Sequence, residues 1–247
     1  MSFKGFVYYL GLDLGGAAEY SALAIVEESV WADPSGWASP SDLSPDYLDH
    51  ILGRARQRGR PPNPLLSVRH LERFEPGTSY PQIVDRVGEL IHTPPLAGKP
   101  TILLVDKTGV GAGVIEHFER RYPYREIGYP TPITIHGGSE VTIDLERGGF
   151  RVPKLDLVGS VQLLLQTSRV KVAASLPEAE TLRRELLSFR VKIDPKTASD
   201  SYSHWREGMH DDLVLATAMA CWYREWKNGL MEIHYANKER EREETYP

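Results

Sequence analysis

Residues 103–114 read LLVDKTGVGAGV: an apolar run of strand length closes on Asp106 and passes at once into a glycine-rich turn. A continuous run of this kind suits a central strand buried on both faces. Residues 111–122 follow as a helix and residues 133–135 as the next strand, so the stretch predicts a parallel strand–helix–strand unit. A glycine-rich turn after a strand invites a phosphate loop. The P-loop, however, ends in Gly-Lys-Ser/Thr, and here Lys107 precedes the glycines. The residue that this turn presents is therefore Asp106.

Upstream, residues 6–12 (FVYYLGL) and 22–26 (ALAIV) have strand composition and are joined through Gly15 and Gly16, which predicts a hairpin. Residues 65–74 supply a third strand. Residues 79–92 (SYPQIVDRVGELIH) place Ile83, Val87, Leu90 and Ile91 on one helical face behind Ser79 as a cap and Pro81 in the first turn. Downstream, 137–153 is glycine-rich and irregular or hairpin-like, 155–167 and 178–189 are periodic helices, and 211–226 is a helix whose LVLATAMACW core must be buried nearly all round. The expectation is a mixed α/β domain: a five-stranded sheet, antiparallel strands first and parallel ones after, flanked by helices on both faces. It spans residues 1–238, with an irregular Pro-, Ser-, Asp- and Arg-rich insertion at 29–64 that begins one helix near Ser44-Pro45, and a charged tail at 239–247.

Cys221 is the only cysteine, so neither an intramolecular disulfide nor a cysteine-based zinc cluster is available, as suits a cytoplasmic protein. No signal-peptide core or membrane-length apolar stretch is present. The net charge of −5 argues against a protein coated in positive charge. Locally, Arg54, Arg56, Arg58 and Arg60 stand together without an acidic neighbour, either as a grip on backbone phosphates or as a solvated basic segment.

Asp13 ends the first strand, Asp106 ends the fourth, and Asp211 and Asp212 open the last helix. Ends of adjacent strands lie about 5 Å apart, so Asp13 and Asp106 converge if strands one and four are neighbours. A helix packed across the sheet can bring Asp211 or Asp212 beside them. Several carboxylates at one point raise one another's pKa and call for a cation, and an all-oxygen set suits magnesium or manganese. Two such ions about 3.5 to 4 Å apart clamp a scissile phosphate, which is phosphodiester hydrolysis. Each acid also has a plain reading: a turn former at Asp13, an Asx-turn to Thr108 or Gly109 at Asp106, a helix cap at Asp211 and a first-turn charge at Asp212. His210 is either an auxiliary proton donor or a surface residue.

Four stretches, GLDLGG (11–16), LLVDKTGVGAG (103–113), RVPKLDLVGSVQLLL (151–165) and GMHDDLVLATAMA (208–220), together resemble the ribonuclease H-like nuclease domain of the large subunit of phage DNA-packaging terminases. The resemblance leaves the insertion and the tail unmatched. It implies a ribonuclease H-like fold and a metal-dependent endonuclease acting on double-stranded DNA, with two Mg2+ or Mn2+ ions. It makes Asp13 and Asp106 ligands, with Asp212 or Asp211 as the third, Asp212 being slightly preferred. The position after the second acid is commonly small in that family and is Lys107 here, which adds a phosphate contact or crowds the site. Lys154 either touches the DNA backbone or caps a helix start.

No G-x-x-x-x-G-K-[ST] motor motif occurs in the sequence. The expected partners are therefore a separate packaging ATPase, a portal or a small terminase subunit, in the cytoplasm of a bacterial host and without a membrane. The chain is expected to be a separately encoded nuclease, an excised domain or a prophage remnant, Met1 slightly favouring an intact gene product. Two rival readings remain: an actin-like or sugar-kinase-type ATP-binding protein, whose first hairpin also reads Asp-Leu-Gly-Gly, and a non-catalytic domain that binds DNA or a packaging partner.

Overall fold

The computed structural model describes residues 2–32, 65–123, 127–144, 149–189 and 211–227. Its elements run β1 (Ser2–Asp13), β2 (Ser21–Ala32), β3 (Leu66–Phe74), α1 (Tyr80–His92), β4 (Thr101–Asp106), α2 (Gly111–Arg121), β5 (Thr131–His136), β6 (Thr142–Ile143), β7 (Phe150–Pro153), α3 (Lys154–Gln166), β8 (Val170–Val172) and α4 (Ala179–Ser188). A last helix, α5, covers 212–227 of the described residues.

One mixed sheet holds all the strands in the order β6-β7-β5-β4-β1-β2-β3-β8. The five expected strands form its contiguous centre, with β1–β2–β3 antiparallel and β1–β4–β5 parallel. Among the described residues the strand count differs, eight against the expected five. The additions lie at the edges: β6 and β7 form an antiparallel ladder in the hairpin-like region, and β8 joins β3 in parallel. With two residues in β6 and three in β8, these strands are too short for alternation to show in the sequence. The first hairpin also runs further than its apolar core, and β2 continues to Ala32, past the expected start of the insertion.

Alternation along β1 builds two cores. Tyr8, Leu10 and Leu12 face α1 and α2, with Leu103 and Val105 of β4 beside them. Tyr9 and Leu104 face the opposite layer, made by α3, α4 and α5. α1 begins as its sequence requires: Ser79 accepts from the Gln82 amide, Gln82 returns the bond to the Ser79 amide, and proline lies in the first turn. In α5 every residue from Leu213 to Trp222 is buried, which explains its uninterrupted apolar sequence.

Candidate metal centre

Asp13 follows Tyr9 and Gly11 on the α5 face of β1, and Asp106 follows Leu104 on the same face of β4, because side chains two apart on a strand share a face. The parallel register pairs Leu12 with Val105, so the next step sets Asp13 beside Asp106. Both are only 7% exposed.

Gly11 and α5 explain how acids distant in sequence reach this point. A side chain on Gly11 would place its Cβ 1.9 Å from the Ala216 carbonyl oxygen, so only glycine lets the helix lie this close to β1. From Gly11 to Asp13 is about 6.6 Å of strand, and from Ala216 back to Asp212 is one helical turn of about 5.4 Å. Asp212 therefore lies over the end of β1. Asp211, one residue earlier, is rotated by about 100° and is more exposed, its side chain at 37% against 14% for Asp212.

The loop after β4 aims Asp106. Its Oδ1 accepts from the Thr108 amide at 2.8 Å, so the Asx-turn of the plain reading is present and leaves the second oxygen for other use. Gly109 has φ +69°, and a Cβ on Gly111 would stand 1.8 Å from the Asp106 carbonyl oxygen. These two glycines let the chain turn directly from the strand into α2.

Burial pushes the Asp13 carboxyl well above its usual range, and the charges of Asp106, Asp212 and Asp211 push it further, with Lys154 opposing. Burial also raises Asp106, against hydrogen bonds from Thr108 and Asp13 and the charge of Lys154. Burial and the neighbouring carboxyls thus both oppose ionisation of Asp13. Around them, Lys154 Nζ donates to Asp211 Oδ2 and lies 5.6 Å from the Phe189 ring. Arg73 Nη2 donates to Asp212 Oδ2 at 3.1 Å, and its guanidinium stacks 3.8 Å over Tyr20.

A further acid escaped the sequence reading. Glu185 of α4 is 7% exposed, its Oε2 accepts from the Val214 amide at 3.1 Å, and burial pushes its carboxyl up to about 7. Its stretch, RRELLS (183–188), reads as part of an ordinary amphipathic helix, and only the packing of α4 on α5 reveals its burial. Arg73, on β3, is not marked by the sequence either, because its contact with Asp212 depends on how α5 docks across the sheet. His136, which ends β5, could have been found as Asp13 and Asp106 were, by its strand-end position. Its Nδ1 accepts from the Gly138 amide at 2.9 Å, and its Nε2 is buried without a partner among the described residues.

The two candidate lysines part company. Lys154 stands in the acidic cluster as the partner of Asp211. Lys107, one step after Asp106, lies on the other face and lines a cavity with Ala112, Ile115, Glu116, Tyr129 and Pro132. Arg54, Arg56, Arg58, Arg60 and His210 lie outside the described residues, as do the Ser44-Pro45 helix and the charged tail. As the side chains stand, no three His, Cys, Asp or Glu groups among the described residues surround a single metal position, since Asp211 turns to Lys154 and Asp212 to Arg73. No helix of the described residues is long and apolar enough to cross a membrane.

The fold is similar to that of the large terminase nuclease of thermophilic phage G20c. The crystal structure of that nuclease with bound magnesium aligns with a TM-score of 0.51 at 19% identity, over 87% of this chain and 80% of that one. A crystal structure of the same nuclease described without magnesium aligns with a TM-score of 0.49 at 19% identity, over 87% and 81%. At this identity the likeness shows a terminase-nuclease-like, ribonuclease H-like fold. No protein-family model matches the sequence, and no curated protein sequence matches it.

Proposed function

We propose that the chain is a metal-dependent endonuclease that hydrolyses phosphodiester bonds of double-stranded DNA in phage or prophage DNA packaging. The observation that carries this reading is the crowding of carboxyls at the ends of β1 and β4, where buried Asp13, Asp106 and Glu185 gather with the less buried Asp212 and Asp211, and where Lys154 and Arg73 are paired to the last two. Buried carboxylates in such excess keep protons or take a cation. The donors are all oxygen, which fits magnesium or manganese.

Asp13 and Asp106 would hold the metal, with Asp212 as the third ligand and Asp211 as the alternative. When bound, a pair of such ions supplies a water nucleophile at neutral pH and stabilises the leaving oxygen. The chain's own part is preorganisation. The Thr108 amide fixes one oxygen of Asp106, and burial holds Asp13 and Asp106 above the usual carboxylate range, where a bound cation would favour their ionised forms. Lys154, paired with Asp211 beside the site, is the side chain best placed to meet a phosphate oxygen. The terminase-nuclease-like fold makes a packaging ATPase, a portal or a small terminase subunit the fitting partners, and the host cytoplasm the fitting compartment.

The β1–β2 turn gives no support to a phosphate-wrapping hairpin. Its Gly15 amide donates to Ser21 Oγ at 3.1 Å and its Gly16 amide to Glu19 Oε2 at 3.1 Å, so both donors are used internally.

Purified protein is expected to nick or linearise plasmid DNA with Mn2+ or Mg2+ and to stop when the metal is chelated. Asp13→Ala and Asp106→Ala are each expected to lower the rate by about 10³-fold or more, several kcal/mol of transition-state stabilisation. Equal cleavage by wild type and both variants would sink the proposal.

A further inference from the structure

Glu185 and Arg73 reach the acidic end of the sheet from α4 and the end of β3. The backbone N-cap of α5 is Asp211, whose carbonyl accepts from the Leu215 amide at 2.9 Å. An N-cap side chain ordinarily accepts from the second or third helical residue, the third here being Val214. That amide is taken instead by Glu185 Oε2, and the Asp211 carboxylate is turned to Lys154. Arg73 grips the neighbouring Asp212 through Nη2. Each of the two leaves one buried polar atom without a partner among the described residues: Oε1 of Glu185 and Nε of Arg73. The Glu185 carboxyl also lies within the electrostatic reach of both Arg73 and Asp212. An open buried acceptor and an open buried donor of opposite charge thus attend the same helical turn, and unsatisfied buried groups of this kind call for an explanation.

We propose that Glu185 is a positioning residue for Asp212: it caps α5 from outside and offers its second oxygen to Arg73, so that Arg73 exchanges Asp212 for Glu185 when Asp212 turns to a divalent cation. The inference rests on the metal-dependent reading above. Arg73 keeps a carboxylate partner in both arrangements, and the exchange makes or breaks no covalent bond. It also accounts for a fifth acid that stands beside the site yet turned away from it.

The test measures Mn2+ affinity by titration calorimetry on the full chain, for wild type, Glu185→Gln, Arg73→Gln and the double variant. Glutamine keeps an oxygen for the Val214 amide and removes the charge that Arg73 needs. Glu185→Gln is expected to bind Mn2+ at least about tenfold more weakly, within the usual range for an outer-shell partner. In the Arg73→Gln background, where Arg73 no longer competes for Asp212, the same change is expected to have no effect. A role in capping or packing alone gives equal losses in both backgrounds or none in either, and both results overturn the inference. A second readout needs no Arg73 variant. In a diamagnetic Mg2+ titration followed by NMR, the Arg73 Nε–Hε resonance moves in wild type and stays in Glu185→Gln; a resonance that stays in metal-bound wild type overturns the inference. Wild type that binds no Mn2+ removes the nuclease reading too, whereas wild-type binding with Glu185→Gln unchanged removes this inference alone.

Discussion

Where β1 and β4 end, five carboxyl groups share Lys154 and Arg73; about five residues back along β1, and at the far end of α5, Glu27, Glu28 and Glu225 meet Arg69, Arg224 and Arg169 one for one. Arg69 reaches Glu27 at 2.7 Å, Arg224 reaches Glu28 and Glu225 at 2.6 Å each, and Arg169 holds Glu225 through two bonds of 2.8 Å. Tyr8 and Tyr9 donate to the remaining oxygens of Glu27 and Glu28 at 3.0 and 2.8 Å. Burial opposes the charge on Glu225, but hydrogen bonds from Arg169 and Arg224 outweigh it and lower its pKa. Asp13, buried among other acids, moves the other way. One strand pair and one helix thus carry two kinds of charge cluster, one in which acids meet arginines and one in which acids crowd one another. The first is what structural burial of charge requires. The second is the cluster that the proposed cation would neutralise.

Removing one member from each end should give opposite results. Arg224→Met removes a buried guanidinium, leaving partly buried Glu28 without its arginine and Glu225 with Arg169 alone, which costs up to about 3–5 kcal/mol. At about 2–4 °C per kcal/mol for a chain of this size, the melting temperature falls by roughly 6–20 °C. Asp13→Asn removes a repelled charge, so the metal-free protein should melt at or above the wild-type temperature while losing cleavage. Calorimetric melts in EDTA check both. A fall for Asp13→Asn as large as that for Arg224→Met would erase the distinction between the two ends.

Titration sharpens the contrast. Glu185 has a folded pKa of about 7, above the ordinary 4.5, so the folded protein binds more protons than the unfolded chain between those values. Its contribution to stability is therefore complete below about pH 4.5 and is lost as pH rises toward 7. Asp13 and Asp106, also raised, act in the same direction. Metal-free wild type should lose up to about 1.4 kcal/mol per pH unit for each such group across its window. Denaturant melts at pH 5, 6 and 7 in EDTA measure the slope, and Glu185→Gln should flatten it. The lowered Glu225 works oppositely, its contribution being present above its unfolded pKa and lost only in stronger acid.

Much of the acidic end can be read from sequence because strands advertise their ends. Asp13 and Asp106 each close an apolar run, and the order of elements makes β1 and β4 neighbours. Period-two alternation also separates Lys107 from Asp106, although the glycine-rich turn drew attention to both together. Helices conceal more. Asp211 and Asp212 are adjacent in sequence, yet the helical rotation sends one to Lys154 and the other to Arg73. Glu185 stands among charged neighbours that are exposed, so nothing local distinguishes it. Its burial depends on contact between α4 and α5, elements that pattern alone cannot dock. The edge strands β6 and β8 escape for want of length, while capping at Ser79 and the apolar run of α5 were local enough to be plain.

Metal addition acts on one end only. At a free Mn2+ concentration ten times its dissociation constant, a single site adds about 1.4 kcal/mol to folding stability, or roughly 3–6 °C for a chain of this size. Arg224→Met, however unstable, keeps Asp13, Asp106 and Asp212 and should show the same upward shift from its lower baseline. Asp13→Asn should show little or none. The shift should also be larger at the higher of two pH values at fixed Mn2+, because Asp13 and Asp106 are raised and a cation that enters this site competes with protons for them. Differential scanning calorimetry at the two pH values, with Mn2+ and with EDTA, reads both effects. A shift of equal size in Asp13→Asn would mean that the ion binds elsewhere, and the surplus of carboxyls at the ends of β1 and β4 would then need a different cation, such as a basic segment of a partner, to neutralise it.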